Sequence, residues 1–152
     1  MRVVIATHSP EATEALGRRV GARLRRGDVV ALVGPLGSGK TVLARGLALG
    51  AGASGYIASP SFVVIREYRG PLRVYHVDLY RLERPQEIED LGLDELADEG
   101  ILIVEWADRA SGLLPPDHLR IQCGFGQGDQ DRQFVMEIPS RWADRMAGAA
   151  EA

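Results

Sequence analysis

A single lysine, Lys40, stands in this chain, inside the octet Gly34-Pro35-Leu36-Gly37-Ser38-Gly39-Lys40-Thr41. That spacing fits G-x-x-x-x-G-K-[ST], a pattern whose glycines let successive backbone N–H groups turn toward one point. The other basic residues among the 18 lysines and arginines are all arginines. A compact ammonium reaches between phosphate oxygens where a planar guanidinium fits badly, so the exception falls where phosphate chemistry asks for it. Pro35 has no N–H to offer. The donors are therefore expected from Gly37, Ser38, Gly39, Lys40, Thr41 and Val42. Lys40 would neutralise the outer phosphates of a nucleotide, and the Thr41 hydroxyl would ligate Mg²⁺.

A phosphate site with Mg²⁺ needs a carboxylate close by, and such groups usually come from the carboxyl end of a neighbouring strand. Two stand at the ends of apolar runs, Asp78 after Val74-Tyr75-His76-Val77 and Glu105 after Ile101-Leu102-Ile103-Val104. Either could hold the metal, directly or through water, and either could orient an attacking water. Ser59-Pro60-Ser61-Phe62 is a second candidate: Pro60 biases Ser59 toward an extended backbone, which would present Ser61 toward a γ-phosphate or a metal-bound water. Trp106 follows Glu105 and reads equally as core or site, whereas His76, on an apolar strand, reads as packed. Arg66, Arg69, Arg73, Arg81 and Arg84 crowd one region, and one of them could stabilise phosphoryl charge.

These groups need elements to position them. Residues 28–33 form a short apolar, β-branched run, expected as a buried strand, and residues 41–49 carry helix formers up to a Gly-rich stop. The octet thus joins a strand to a helix, and the helix N-terminus adds partial positive charge at the phosphate position. Residues 1–6 read as a first strand. Ser9 and Pro10 start a helix with Ala12, Leu16, Val20 and Leu24 on one face. Residues 62–68 and 72–77 are joined by only a few residues and must pair antiparallel. A short helix is expected over 85–91, a turn over 94–97, and a strand covered on both faces over 101–104. A second hairpin is expected from 119–124 and 133–138, with Ser140 capping a final short helix and 146–152 fraying. The expected fold is α/β: a three-layer P-loop NTPase-like domain with parallel core strands and antiparallel hairpin additions, one domain over 1–152.

Composition agrees with a soluble globular chain, at 45% hydrophobic and 26% charged residues. No apolar run approaches a membrane span, and the N-terminal run is too short for a secretory signal. One cysteine, Cys123, cannot form an internal disulfide, so the cytoplasm is the expected location. A net charge of -3 argues against broad charge-driven binding to nucleic acid; any RNA would be held by a partner protein.

Taken together the chain resembles the TsaE family, the ATPase component of bacterial tRNA threonylcarbamoyladenosine synthesis. The resemblance runs through Ser9 to Thr13, the phosphate loop, Ser59-Pro60-Ser61-Phe62, His76-Val77-Asp78-Leu79-Tyr80-Arg81-Leu82 and Val104-Glu105-Trp106. It implies that the loop binds ATP, that Thr41 and Glu105 hold Mg²⁺, and that Asp78 serves hydrolysis. It also implies that Thr13 and Arg132 lie near the base or ribose. Pro35, Val42, Ser61 and Ala107 depart from the usual Asp, Thr, Thr and Pro of the family. The implied partners are TsaD and TsaB, which an ATP cycle would reset between rounds of transfer to adenosine 37 of tRNA; tRNA is met only through that complex. The competing reading is a small P-loop metabolite kinase, against which no separate substrate-binding segment is visible. Guanine recognition of the [NT]-K-x-D type needs a second lysine, and none exists.

Overall fold

The apolar runs fold as strands and the amphipathic ones as helices around them. The computed structural model describes residues 1–54 and 64–149. Ser59, Pro60, Ser61 and Phe62 lie outside the described residues, as do residues 150–152. Among the described residues the strands are β1 (Arg2–Thr7), β2 (Val29–Val33), β3 (Ile65–Tyr68), β4 (Val74–Asp78), β5 (Ile101–Glu105), β6 (Leu119–Phe125) and β7 (Arg132–Glu137). The helices are α1 (Pro10–Gly21), α2 (Lys40–Gly50), α3 (Pro85–Glu89), α4 (Leu93–Glu99) and α5 (Ala143–Met146).

The strands form one mixed sheet in the order β1-β7-β6-β2-β5-β4-β3. Its centre is parallel: β2 lies between β5 and β6, and β5 pairs on to β4. The β3–β4 and β6–β7 pairs are antiparallel hairpins, as their short connections require, and β1 pairs antiparallel with β7 at the edge. Alternation along the strands divides the core in two. On one face Val30, Leu32, Ile101, Ile103 and Ile121 pack with Leu16 and Val20 of α1 and Leu43 and Leu47 of α2. On the other, Val29, Ala31, Leu102 and Val104 pack with Ile88 of α3 and with Leu93 and Ala97 of α4. Strands buried on both faces are apolar almost throughout, which is why β2 and the first four residues of β5 read as uninterrupted runs, with the buried Glu105 the exception at the end of β5.

α1 begins where Ser9 and Pro10 place it, with the Ser9 hydroxyl accepting from the Ala12 N–H at 3.0 Å. It ends at Gly21, so Leu24 reaches the core from beyond the helix; Thr13, Gly17 and Gly21 complete the buried face. α1 and α2 cross almost backbone to backbone. A methyl on Gly46 would overlap the Glu14 carbonyl oxygen and lie 2.9 Å from the Gly17 Cα. The expected turn over 94–97 is a full helix, α4, opened by Gly92 in the left-handed region (φ 67). α3 is shorter than the expected 85–91 because Asp90 already ends it. Ser140 does not cap: Ser140–Trp142 form a 3₁₀ turn that leads into α5 with no side-chain cap bond.

The directions of the strands set where a site can lie. β2, β4, β5 and β6 run parallel and end at one edge of the sheet, at Val33, Asp78, Glu105 and Phe125. Thr7, the last residue of β1, pairs with Arg132, the first of β7, at that same edge. Residues scattered over most of the chain therefore meet at one rim.

Candidate functional site

A cavity of about 470 Å³ opens at that rim. Its wall includes Thr13 of α1, Gly37, Gly39, Lys40, Thr41 and Val42 of the loop and α2, and Asp78, Arg81, Glu105, Trp106 and Arg132. β2 delivers the chain into the Gly34–Thr41 loop, and α2 leaves it with Gly39 as N-cap. Gly37 (φ 79) and Gly39 (φ 96) occupy the left-handed region, which a side-chain-bearing residue adopts only at a cost. The first helical bond runs from Leu43 N–H to the Gly39 carbonyl at 2.9 Å. The amides of Lys40, Thr41 and Val42 thus form the first turn, whose donors have no acceptor within the helix. The Ser38 amide is used inside the loop, donating to the Pro35 carbonyl at 3.2 Å, and the Ser38 side chain is buried rather than facing the cavity.

Lys40 is 4% exposed, and its Nζ donates to the carbonyls of Gly34 at 2.6 Å and Pro35 at 2.8 Å. The same ammonium lies 4.2 Å from the centre of the Trp106 ring. Burial pulls its pKa below the ordinary lysine value, while the nearby carboxylates of Glu105, Asp78 and Asp108 push the other way. Trp106 is the one non-glycine residue with positive φ among those described (φ 59). That backbone costs about 1–3 kcal/mol and persists only where its surroundings hold it. Here the ring is held between Lys40 and Tyr80, whose ring centre is 5.0 Å away.

The carboxylates come from adjacent parallel strands, with Asp78 opposite Glu105 in register. Glu105 is 2% exposed; its Oε1 accepts from the Thr41 hydroxyl at 2.9 Å. Burial raises the Asp78 pKa, the Tyr80 N–H donated to Asp78 Oδ1 at 3.0 Å opposes that, and the like charge of Glu105 adds to it. Also on the cavity wall, the buried Thr13 hydroxyl lies 2.7 Å from that of Thr7. Arg132 donates from Nη1 to the carbonyls of Asp129 and Asp131, both at 2.8 Å, and its guanidinium lies 5.1 Å from the Phe125 ring centre. Asp131 is in turn held by His8 and the Gly128 N–H, which lower its pKa in that order.

The donor set suits a polyanion with a hard cation. Loop amides, a helix N-terminus and a lysine face one space. Among those residues no three His, Cys, Asp or Glu side chains form a self-sufficient metal site. A cation at Thr41 and Glu105 would have to complete its shell from phosphate oxygens and water, the habit of Mg²⁺.

Two residues were missed in the sequence. Arg109 donates from Nη1 to the carbonyls of Tyr80 (2.6 Å) and Leu82 (3.0 Å), and lies over the Tyr80 and Trp106 rings. Of the five arginines crowding 66–84, Arg81 is the one on the cavity wall. His76 is buried as expected, yet its Nε2 sits 2.6 Å from Glu105 Oε2. The available signal was a polar residue on an inward position two places before Asp78. Among the described residues no helix is long and apolar enough to cross a membrane.

Residues 7–134 match the family model described as threonylcarbamoyl adenosine biosynthesis protein TsaE. A Bacillus subtilis (strain 168) protein named tRNA threonylcarbamoyladenosine biosynthesis protein TsaE is 42% identical over 131 residues, covering 85% of this chain and 81% of that one. A Streptomyces coelicolor protein of the same name is 41% identical over 137 residues, covering 84% and 92%. Among solved structures, the crystal structure of Bacillus subtilis YdiB superposes with a TM-score of 0.81 at 31% identity, over 99% of this chain and 95% of that one.

Proposed function

The chain belongs to the TsaE family, and from that premise we propose that it is a Mg²⁺-dependent P-loop ATPase serving tRNA threonylcarbamoyladenosine biosynthesis. The observation that carries the reading is the meeting of Lys40, the Thr41 hydroxyl and Glu105 at the N-terminus of α2. On this reading the three-layer domain is P-loop NTPase-like. The amides of Gly37 and of Gly39 to Val42 hold the triphosphate, and Lys40 leaves the carbonyls of Gly34 and Pro35 for the outer phosphates. Exchanging carbonyl acceptors for phosphate oxygens strengthens each bond, because both partners are then charged. Thr41 and Glu105 hold Mg²⁺, which when bound neutralises charge on the phosphate oxygens. Thr13 and Arg132, also on the cavity wall, line the space left for ribose and base.

Asp78 orients the water that attacks the γ-phosphorus; the bond to the ADP oxygen breaks and inorganic phosphate leaves. Its raised pKa fits a group that accepts a proton from that water. The protein does not itself modify tRNA in this account. It docks on TsaD and TsaB in the cytoplasm, and its ATP cycle resets them between rounds of transfer. The test is multi-turnover tRNA modification with a matching TsaB–TsaD pair. Lys40→Ala is expected to abolish ATP binding and repeated turnover, and turnover equal to wild type refutes the assignment.

A further inference from the structure

We propose that His76 is a positioning residue that locks the Glu105 carboxylate in the one orientation that presents Oε1 to Thr41 and the cation. The inference rests on the Mg²⁺–nucleotide reading of this pocket and assigns a role to a side chain that reading does not use.

His76, Asp78, Ile103 and Glu105 all lie on the α2 side of the sheet, because side chains alternate along β4 and β5 and the two strands pair His76 with Ile103 and Asp78 with Glu105. His76 is 1% exposed. Its Nε2 is 2.6 Å from Glu105 Oε2, while Glu105 Oε1 is 2.9 Å from the Thr41 hydroxyl. The two carboxylate oxygens are thus divided between different partners. A carboxylate oxygen only accepts, so Nε2 carries the hydrogen. Nδ1 is buried and has no hydrogen-bond partner among the described residues.

Packing alone is a poor reason for this histidine. Leaving a buried polar nitrogen unpaired costs about 1–3 kcal/mol, a cost an aliphatic residue at the same inward position avoids. Val74, two residues earlier on the same face, is such a residue. What an aliphatic residue cannot supply is the Nε2–H. Without it Glu105 Oε2 is a buried acceptor with no donor, and the carboxylate turns toward another one. By tying down Oε2, His76 keeps the remaining oxygen of Glu105 on the Thr41 side. Partners of metal-ligating groups commonly affect metal affinity by about 10–100-fold, so the expected effect is large and specific to the metal.

The experiment measures Mn²⁺ affinity by electron paramagnetic resonance in the presence of adenylyl imidodiphosphate, and nucleotide affinity separately in EDTA. In His76→Leu, Mn²⁺ affinity is expected to fall about 10-fold or more, with EDTA nucleotide affinity unchanged. His76→Gln, whose amide reaches the Nε2 position, is expected to restore it. Tyr75→Phe, which removes a hydrogen bond to Glu99 on the opposite face of β4, is expected to leave it at the wild-type value. Should His76→Leu not fold, His76→Gln against the shorter His76→Asn carries the same decision: Asn must weaken Mn²⁺ binding and Gln must not. Wild-type Mn²⁺ affinity in His76→Leu, or equal affinity in the Gln and Asn variants, overturns the role of His76 alone. If wild-type protein binds no Mn²⁺ with the nucleotide, the Mg²⁺–nucleotide reading falls and takes this assignment with it.

Discussion

Gly46→Ala places two opposite physical effects in direct competition. Gly46 is inside α2, and alanine is the better helix former there by about 1 kcal/mol. The added methyl, however, would overlap the Glu14 carbonyl oxygen of α1 and lie 2.9 Å from the Gly17 Cα. Both neighbours are backbone, so neither can rotate aside, and the relief has to come from separating the helices. Forcing an extra methyl into such a seam costs about 1–3 kcal/mol, at the upper end where backbone must move. The net loss is then about 2 kcal/mol, or a fall of about 4–8 °C in Tm for a chain of this length. The same movement parts Thr13 on α1 from Lys40 and Thr41 on α2, so affinity for adenine nucleotide falls with stability. Calorimetry and an ATP-analogue titration on Gly46→Ala and wild type read both effects. A variant that melts at or above the wild-type temperature would show that helix propensity prevails and that the helices do not cross as closely as described.

Three further outcomes follow from the site and its supports. Asp78→Asn keeps the Tyr80 N–H bond through its amide oxygen, so ATP still binds while hydrolysis falls by about 100-fold or more, read in single-turnover assays. The pKa of Asp78 is raised in the fold, so the folded state binds the extra proton and stability falls as pH rises from the ordinary aspartate value through the raised one. Asp78→Asn is therefore more stable than wild type at neutral pH, and the difference vanishes in acid denaturation curves below the ordinary aspartate pKa. Arg145→Ala breaks the bidentate pair with Asp28 (2.6 and 3.2 Å), leaving that largely buried carboxylate with the Arg25 N–H; urea unfolding should show a loss of about 3 kcal/mol.

Much of the site was legible because its signals are local. The octet carries its own strand and helix on either side, and Asp78 and Glu105 declare themselves as carboxylates closing apolar runs. The two hairpins could be read because a handful of residues cannot cross over a sheet. What could not be read depends on contacts distant in sequence. Thr13 and Arg132 entered only through the family resemblance, since nothing local marks them: they reach one cavity because β1 pairs with β7, bringing Thr7 opposite Arg132. His76 looked like packing because its partner is 29 residues away on the next strand. Glycines 17 and 46 weaken a helix taken alone; their purpose appears only where the two helices cross. Ser140 has the residue type of a cap without the geometry, since the chain enters a 3₁₀ turn there instead.

The most direct test is a crystal structure with adenylyl imidodiphosphate and Mg²⁺. The account predicts triphosphate against the amides of Gly37 and of Gly39 to Val42, Lys40 Nζ moved from the Gly34 and Pro35 carbonyls to a phosphate oxygen, and the cation facing Thr41 and Glu105. Nucleotide bound elsewhere, or a filled pocket with Lys40 still on its own loop and Glu105 turned away from the metal, would contradict it.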